Sequence, residues 1–154
     1  MDAYEERLKQ YIRDHGIAAE HLSFLQSCHS VAEAARAVHA RPEDFVKNIC
    51  MVDAQGNLII AIVKGEDRVS TTAVAAALHI ARPRLATAEE ILAITGYPCG
   101  GTPSFGYIAT FLIDTRVMNT RIVYSGGGSA QSLVKITAME LQRANNGKVS
   151  NIRK

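Results

Sequence analysis

The sequence predicts a single mixed α+β domain over residues 1–154, with helices around a curved, largely antiparallel sheet. Apolar, β-branched runs come in consecutive pairs, at 45–52 with 58–64 and at 108–114 with 121–128, which is typical of neighbouring strands. Segments with apolar residues at helical spacing begin with an N-capping residue, usually followed three positions later by glutamate. A chain of 154 residues can bury a core without disulfides or a structural metal.

Capping residues, and the turn residues that end each run, give the predicted elements. The predicted helices are 3–15, VAEAARAV after Ser30, AVAAALHI after Ser70, AEEILAIT after Thr87 and AMELQRAN after Thr137. The predicted strands are 22–25, 45–52, 58–64, 108–114, 121–128 and 132–136, and a basic tail ends at Lys154. The runs at 45–52 and 58–64 do not alternate cleanly between polar and apolar residues, which predicts a central hairpin covered on both faces.

Composition argues against several classes of protein. Lysine and arginine total 17 against 15 aspartates and glutamates, and the net charge of +2 is small for a protein that binds duplex DNA. The sequence has neither a run of about 20 apolar residues nor an apolar leader, so we expect a soluble cytoplasmic protein without a membrane partner. The cysteines, Cys28, Cys50 and Cys99, form no CxxC pair and are expected to be free thiols.

The sequence patterns of familiar catalytic sites are also missing. The five histidines all precede residue 80 and have no metal-ligand spacing, so a metal site is not expected. The sequence contains neither a GxSxG nucleophile elbow nor a GxxxxGK[ST] phosphate loop. The remaining candidates for a functional site are main-chain groups together with one or two cationic side chains.

The segment GYPCGGTPSFGY, residues 96–107, places four glycines and two prolines in twelve residues. Glycine permits unusual dihedral angles and close approach of the backbone, whereas proline fixes a turn. One interpretation is therefore a stiff, shaped loop, within which Cys99 could line a pocket. The other interpretation is a long surface connection.

Two further features have a functional and a structural interpretation. Lys47 shares a strand face with Ile49 and Met51, so its ammonium group either reaches water along a packed stem or meets an anion. The three glycines after Ser125 form either a turn or part of a site. Each feature taken singly is a weak signal.

Taken in order, these segments resemble the YbaK and prolyl-tRNA-synthetase-associated domain family. The resemblance covers about residues 22–142, through HSVAEAARAV, FVKNICMVD, LIIAIVKG, GYPCGGTPSFG, FLID and VYSGGG. It implies a YbaK-like fold. It also implies the activity of free-standing relatives of the editing domain in bacterial prolyl-tRNA synthetase, which hydrolyse amino acids wrongly esterified to tRNA.

Carried over residue by residue, the resemblance assigns catalytic roles to Lys47, Gly100 and Gly101. Lys47 matches a strand lysine that contacts the terminal adenosine, and the two glycines match a loop whose backbone surrounds the ester. The substrate-binding residues implied by the resemblance are His29, Ser30, Thr102, Pro103, Ser104, Ser125, Gly126 and Gly127.

Two positions depart from the family pattern. Counted from Gly100, the proline of the GxxxP loop should stand at Ser104, and it stands one place earlier, at Pro103. Asn48 occupies the position where the family has threonine or serine. Both departures bear on the rate of hydrolysis and on the amino acid preferred.

The resemblance therefore implies a trans-editing aminoacyl-tRNA deacylase that removes a small amino acid such as alanine or cysteine, with tRNA-Pro as a candidate carrier. It implies no cofactor and no metal. The expected partner is the 3′ end of tRNA, an aminoacyl-tRNA synthetase is a candidate second partner, and DNA is not expected. One alternative is a non-catalytic module of the same fold that binds a tRNA end or an adenine nucleotide. Another is a hydrolase of small esters or thioesters.

Overall fold

The computed structural model describes residues 2–24 and 31–154, in which helices pack on two β-sheets. The helices are α1 (Ala3–Asp14), α2 (Val31–Val38), α3 (Thr71–Leu78), α4 (Ala88–Thr95), α5 (Thr115–Met118) and α6 (Ala138–Asn145), with a 3₁₀ turn at Pro42–Asp44. The strands are β1 (Ala19–Ser23), β2 (Val46–Val52), β3 (Leu58–Lys64), β4 (Arg84–Leu85), β5 (Thr110–Asp114), β6 (Ile122–Gly126), β7 (Ser132–Thr137) and β8 (Lys148–Ser150).

These strands confirm the mixed α+β class and divide into two sheets. The smaller sheet is antiparallel, with strand order β1-β7-β6. The larger sheet has the order β4-β2-β3-β5-β8, and in it β2 and β3 form the predicted antiparallel hairpin. β5 is parallel to both β3 and β8. Parallel neighbours require a crossover, and the one from β3 to β5 passes through α3 and α4.

Both faces of β3 are covered, which explains its unbroken apolar run. Ile60 and Ile62 face a core shared with α1 and the smaller sheet, whereas Ile59 and Val63 face a second core that contains Val74 of α3. All the residues from 58 to 63 are buried. A strand buried on both sides has no reason to alternate polar and apolar residues.

The helix starts illustrate how tertiary contacts modify local patterns. Thr87 and Glu90 form the complete reciprocal capping box that the sequence predicts. Asp2 caps α1 by accepting from Tyr4 and Glu5 backbone N–H groups. The Glu5 carboxylate instead accepts from Ser23 Oγ of β1 and from Ser129 Oγ in the turn between β6 and β7.

The structure differs from the sequence prediction at the two ends of the chain. The first strand lies at Ala19–Ser23 and not at 22–25, because it pairs with β7. The predicted basic tail contains β8, and Ile152 beyond it is fully buried. Cys28, His29 and Ser30 lie outside the described residues.

Candidate functional site

A cavity of about 510 Å³ opens beside the first half of β2. Its walls come from the edge of β2, the segment after β4, the glycine loop and the turn between β6 and β7. The lining residues that carry the argument are Lys47, Asn48, Cys50, Gly100, Ser125 and Gly126. The volume is typical of a pocket for a small ligand.

The cavity exists because β2 lacks a full neighbour on one side. β2 pairs with β3 along its whole length, but β4 covers only Met51 and Val52, and an isolated bridge from Phe45 to Tyr124 joins it to β6. Residues 46–50 therefore form an edge between two diverging strands. Such an edge offers main-chain donors and acceptors to whatever enters.

The register of β2 determines which of its main-chain groups face this side. The Phe45 carbonyl bonds Gly65 on the β3 side, and the Cys50 carbonyl accepts from Ala86 N–H on the opposite side, at 2.9 Å. Main-chain direction alternates along an antiparallel strand. The N–H groups of Asn48 and Cys50 therefore point away from β3, towards the cavity.

Hydrogen bonds hold the loop at residues 96–107 in a fixed shape. Thr102 Oγ1 donates to the Pro98 carbonyl at 3.0 Å, and the hydroxyl of the half-buried Tyr107 donates to the Pro103 carbonyl at 2.5 Å. Gly128 N–H donates to the Gly101 carbonyl at 2.7 Å, which ties the loop to the turn after β6. These bonds favour the shaped-loop interpretation over a loose surface connection.

Glycine is needed at two positions of the site for different physical reasons. Gly100 has φ +93°, which L side chains rarely adopt, and open space beyond it. At Gly126 a Cβ would lie 2.8 Å from the Thr102 carbonyl carbon and closer still to the Thr102 carbonyl oxygen, well within the sum of their van der Waals radii. Gly126 therefore lets β6 and the glycine loop meet at the cavity wall.

A small polar cluster lies at the floor of the cavity, formed by Asn48, Ser104 and Ser125. Asn48 Nδ2 donates to the Thr102 carbonyl at 2.9 Å and to Ser125 Oγ at 3.4 Å. Ser104 Oγ donates to Asn48 Oδ1 at 2.7 Å and is also hydrogen-bonded to Ser125 Oγ. The two departures from the family pattern, Asn48 and Ser104, are thus bonded to each other.

Lys47 lies at the cavity but on the other face of β2. It is half-buried and pairs across the hairpin with Val63, whose side chain belongs to the core beneath α3. Because consecutive strand residues point to opposite faces, the Lys47 and Asn48 side chains leave β2 in opposite directions. Among the described residues that line the cavity, Lys47 is the charged one.

Two thiols also line the cavity, as free cysteines. Cys50 is buried, and burial, with a smaller effect of Cys99, raises the pKa of its thiol to about 11. Cys99 is exposed. At neutral pH Cys50 is therefore a protonated, apolar part of the wall and not a nucleophile.

The sequence-based site residues fall into three groups. Lys47, Gly100, Thr102, Ser125 and Gly126 line the cavity. Gly101, Pro103, Ser104 and Gly127 are buried in the same two segments of the chain and do not line the cavity. His29 and Ser30 lie outside the described residues. Their functional roles stay predictions.

Sequence reasoning missed other parts of the wall. Leu85, Ala86 and Ile91 form an apolar side, and Ser129 and Ser132 belong to the turn after β6. The buried Glu5 of α1 accepts from Ser129 Oγ at 2.8 Å and so fixes that turn from 124 residues away. No local pattern signals such a contact.

Within residues 2–24 and 31–154, no group of three histidine, cysteine or acidic side chains is placed to hold a metal ion. In the same part of the chain, none of the helices has the length and apolar character needed to cross a bilayer.

The profile of the aminoacyl-tRNA editing domain matches residues 26–144, most of the chain and every described wall of the cavity. This protein belongs to the aminoacyl-tRNA editing domain family. The resemblance inferred from the sequence is thereby confirmed. Among curated proteins, no significant match to this editing domain is found.

Solved structures share the fold of this editing domain over nearly its whole length. A proposed trans-editing enzyme for prolyl-tRNA synthetase is 23% identical with a TM-score of 0.92, covering 100% of this chain and 99% of the other. A hypothetical protein is 25% identical, with a TM-score of 0.87 and coverage of 96% and 99%. A scaffold protein used for epitope grafting is 20% identical, with a TM-score of 0.90 and coverage of 100% and 99%.

Proposed function

We propose that this editing domain is a trans-acting aminoacyl-tRNA deacylase, which hydrolyses the ester between an amino acid and the 3′ end of tRNA. The observation that supports the proposal is that the region matched by the family contains all the described residues that line one cavity. Lys47, the open edge of β2 and the glycine loop converge there. The structural likeness to a proposed trans-editing enzyme is consistent with this function.

The reaction suits a site built mainly from backbone. The oxygen of a water molecule attacks the ester carbonyl, the bond from that carbon to the ribose oxygen breaks, and the ribose oxygen receives a proton. Main-chain N–H groups of Asn48 and Cys50, together with the loop at Gly100, are the candidate donors for the negative charge that develops on the carbonyl oxygen. One well-placed donor of this kind contributes roughly 100-fold or more in rate.

The described walls of the cavity contain neither a carboxylate nor a histidine to act as a general base. An aminoacyl ester is already activated, so positioning of the water and of the ester supplies much of the rate. We propose that the neighbouring ribose hydroxyl of the substrate assists proton transfer.

Lys47 is the proposed contact for the nucleotide end of the substrate. Its ammonium group is a compact charge that suits a phosphate or ribose oxygen. It leaves β2 on the face opposite Asn48, so the terminal nucleotide and the esterified amino acid would lie on different sides of the strand edge. The uncharged wall at Cys50, Ala86 and Ile91 suits a small apolar amino acid such as alanine or cysteine.

Release of labelled amino acid from a panel of correctly and incorrectly charged tRNAs tests the proposal. Wild type should deacylate a species that carries a small amino acid, with tRNA-Pro included in the panel. Lys47→Ala should lower kcat/KM by about 10- to 100-fold, the usual value of a lost hydrogen bond to a charged group.

Lys64→Ala is the matched control, because Lys64 ends the neighbouring strand and lies outside this cavity. Its kcat/KM should stay near that of wild type, and circular dichroism should give the same fold for all three proteins. Absence of release from every charged tRNA would refute the deacylase. If an uncharged tRNA end still bound, a non-catalytic binding module would be the better description.

A further inference from the structure

The polar cluster on the cavity floor has a fixed order of hydrogen atoms. Ser104 is fully buried and Ser125 is 1% exposed, whereas Asn48 is half-buried. Three polar side chains in contact, each with a limited number of hydrogens, permit few arrangements.

The Thr102 carbonyl determines the orientation of the Asn48 amide. A carbonyl oxygen can only accept, so the Asn48 atom 2.9 Å from it must be the NH₂ group. The other amide atom is then the oxygen, which can only accept. Ser104 Oγ, 2.7 Å from that oxygen, must donate its single hydrogen to it.

The same reasoning fixes Ser125. Ser104 has already used its hydrogen, so in the contact between the two hydroxyls Ser125 is the donor. The Asn48 NH₂ group also donates to Ser125 Oγ, at 3.4 Å. Ser125 therefore has no hydrogen left for the cavity that it lines, and a ligand meets its oxygen only as an acceptor.

We propose that Ser125 Oγ accepts a hydrogen bond from the protonated α-amino group of the esterified amino acid. The inference rests on the proposed deacylase function and names how that site recognises its substrate. The described cavity wall holds no carboxylate to pair with an ammonium group, and Ser125 Oγ offers a neutral acceptor there. Lys47, which would repel the ammonium group, leaves β2 on the opposite face.

Asn48 and Ser104 act in this arrangement as positioning residues. They do not react, but they hold the Ser125 hydrogen away from the substrate. Loss of the Ser104 hydroxyl would free that hydrogen to point into the cavity, where it opposes an ammonium group. Ser104 does not line the cavity, so its effect on substrate choice would pass through Ser125.

A pair of substrates that differ only in the amino group tests the proposal. The same tRNA is charged either with alanine or with the propionyl group, which lacks the amine, and both rates are corrected for spontaneous hydrolysis. Wild type should prefer the alanyl ester in kcat/KM. Ser125→Ala and Ser104→Ala should each reduce that preference by about tenfold, chiefly through a higher KM for the alanyl ester.

Ser70→Ala is the matched control, since it removes a hydroxyl that caps α3 and lies outside both the cavity lining and this cluster. Its preference between the two esters should equal that of wild type. A ratio of two rates does not depend on how much of each variant is folded.

Two outcomes would overturn the proposal, and they can be told apart. If wild type hydrolyses both esters and Ser125→Ala lowers both rates equally, the deacylase stands but Ser125 does not recognise the amine. If wild type hydrolyses neither ester nor any charged tRNA of the larger panel, the proposed function fails as well.

Discussion

Gly126→Ala is the sharpest test of how the cavity wall is built. Gly126 lies where β6 meets the glycine loop, and the added methyl group would lie 2.8 Å from the Thr102 carbonyl carbon and 3.2 Å from the Gly101 carbonyl oxygen. Both neighbours are backbone, so neither can rotate away as a flexible side chain would. The substitution must move the loop, the strand or both.

The magnitude follows from that geometry. Ordinary contact begins at 3.4 Å, and the approach to the Thr102 oxygen is closer still, so a displacement of roughly 1 Å is needed. A misplacement of that size costs about 100-fold in rate when it moves groups that position the substrate. Overpacking of this kind also lowers the free energy of unfolding by about 1–3 kcal/mol.

The assay is amino acid release from a charged tRNA that wild type hydrolyses, with urea unfolding measured in parallel. Gly56→Ala in the turn between β2 and β3 is the control, because Gly56 has φ +82° with open space around it, far along the chain from the loop. It should lose about 1–2 kcal/mol through strain while kcat/KM remains that of wild type. A folded Gly126→Ala protein with wild-type kcat/KM would refute the reasoning.

Three further perturbations test the pH dependence, a helix cap and the C-terminal segment. Burial holds the pKa of Cys50 at about 11, above its ordinary value of 9.0. The stability that this shift contributes to the folded protein is therefore complete below pH 9 and is lost as the pH rises to about 11. In urea titrations, the free energy of unfolding should therefore fall between pH 8 and pH 11 by about 2 kcal/mol more in wild type than in Cys50→Val. Thr87→Ala removes the hydroxyl that accepts from Glu90 N–H and should lower the unfolding free energy by about 1 kcal/mol, measured as a lower urea midpoint. Deletion of 152–154 removes the fully buried Ile152 and its N–H, which donates to the buried Asp114 carboxylate. Thermal denaturation should show a loss of about 3 kcal/mol or more in the free energy of unfolding. An unchanged midpoint for Thr87→Ala or for the deletion would contradict these assignments.

Local patterns in the sequence were sufficient for most of the elements. The cap at Thr87, the hairpin of β2 and β3, and the end of α4 at Gly96 all depend on residues within a few positions of one another. Such signals act before any tertiary contact forms, which is why they can be read directly. The short strands β4 and β8 carry no such signal, because only pairing with β2 and β5 makes them strands.

The sequence by itself determined the fold class, the family and the two segments, around Lys47 and at 96–107, that lie at the cavity. Tertiary structure alone decided that β2 has an open edge, and that Asn48 meets Ser104 and Ser125 across 56 and 77 residues of chain. The direction of a hydroxyl hydrogen depends on every neighbour at once, and those neighbours come together only when the two sheets pack. The same physics explains why two apparent departures from a family pattern, Asn48 and Ser104, are partners in one hydrogen-bonded cluster.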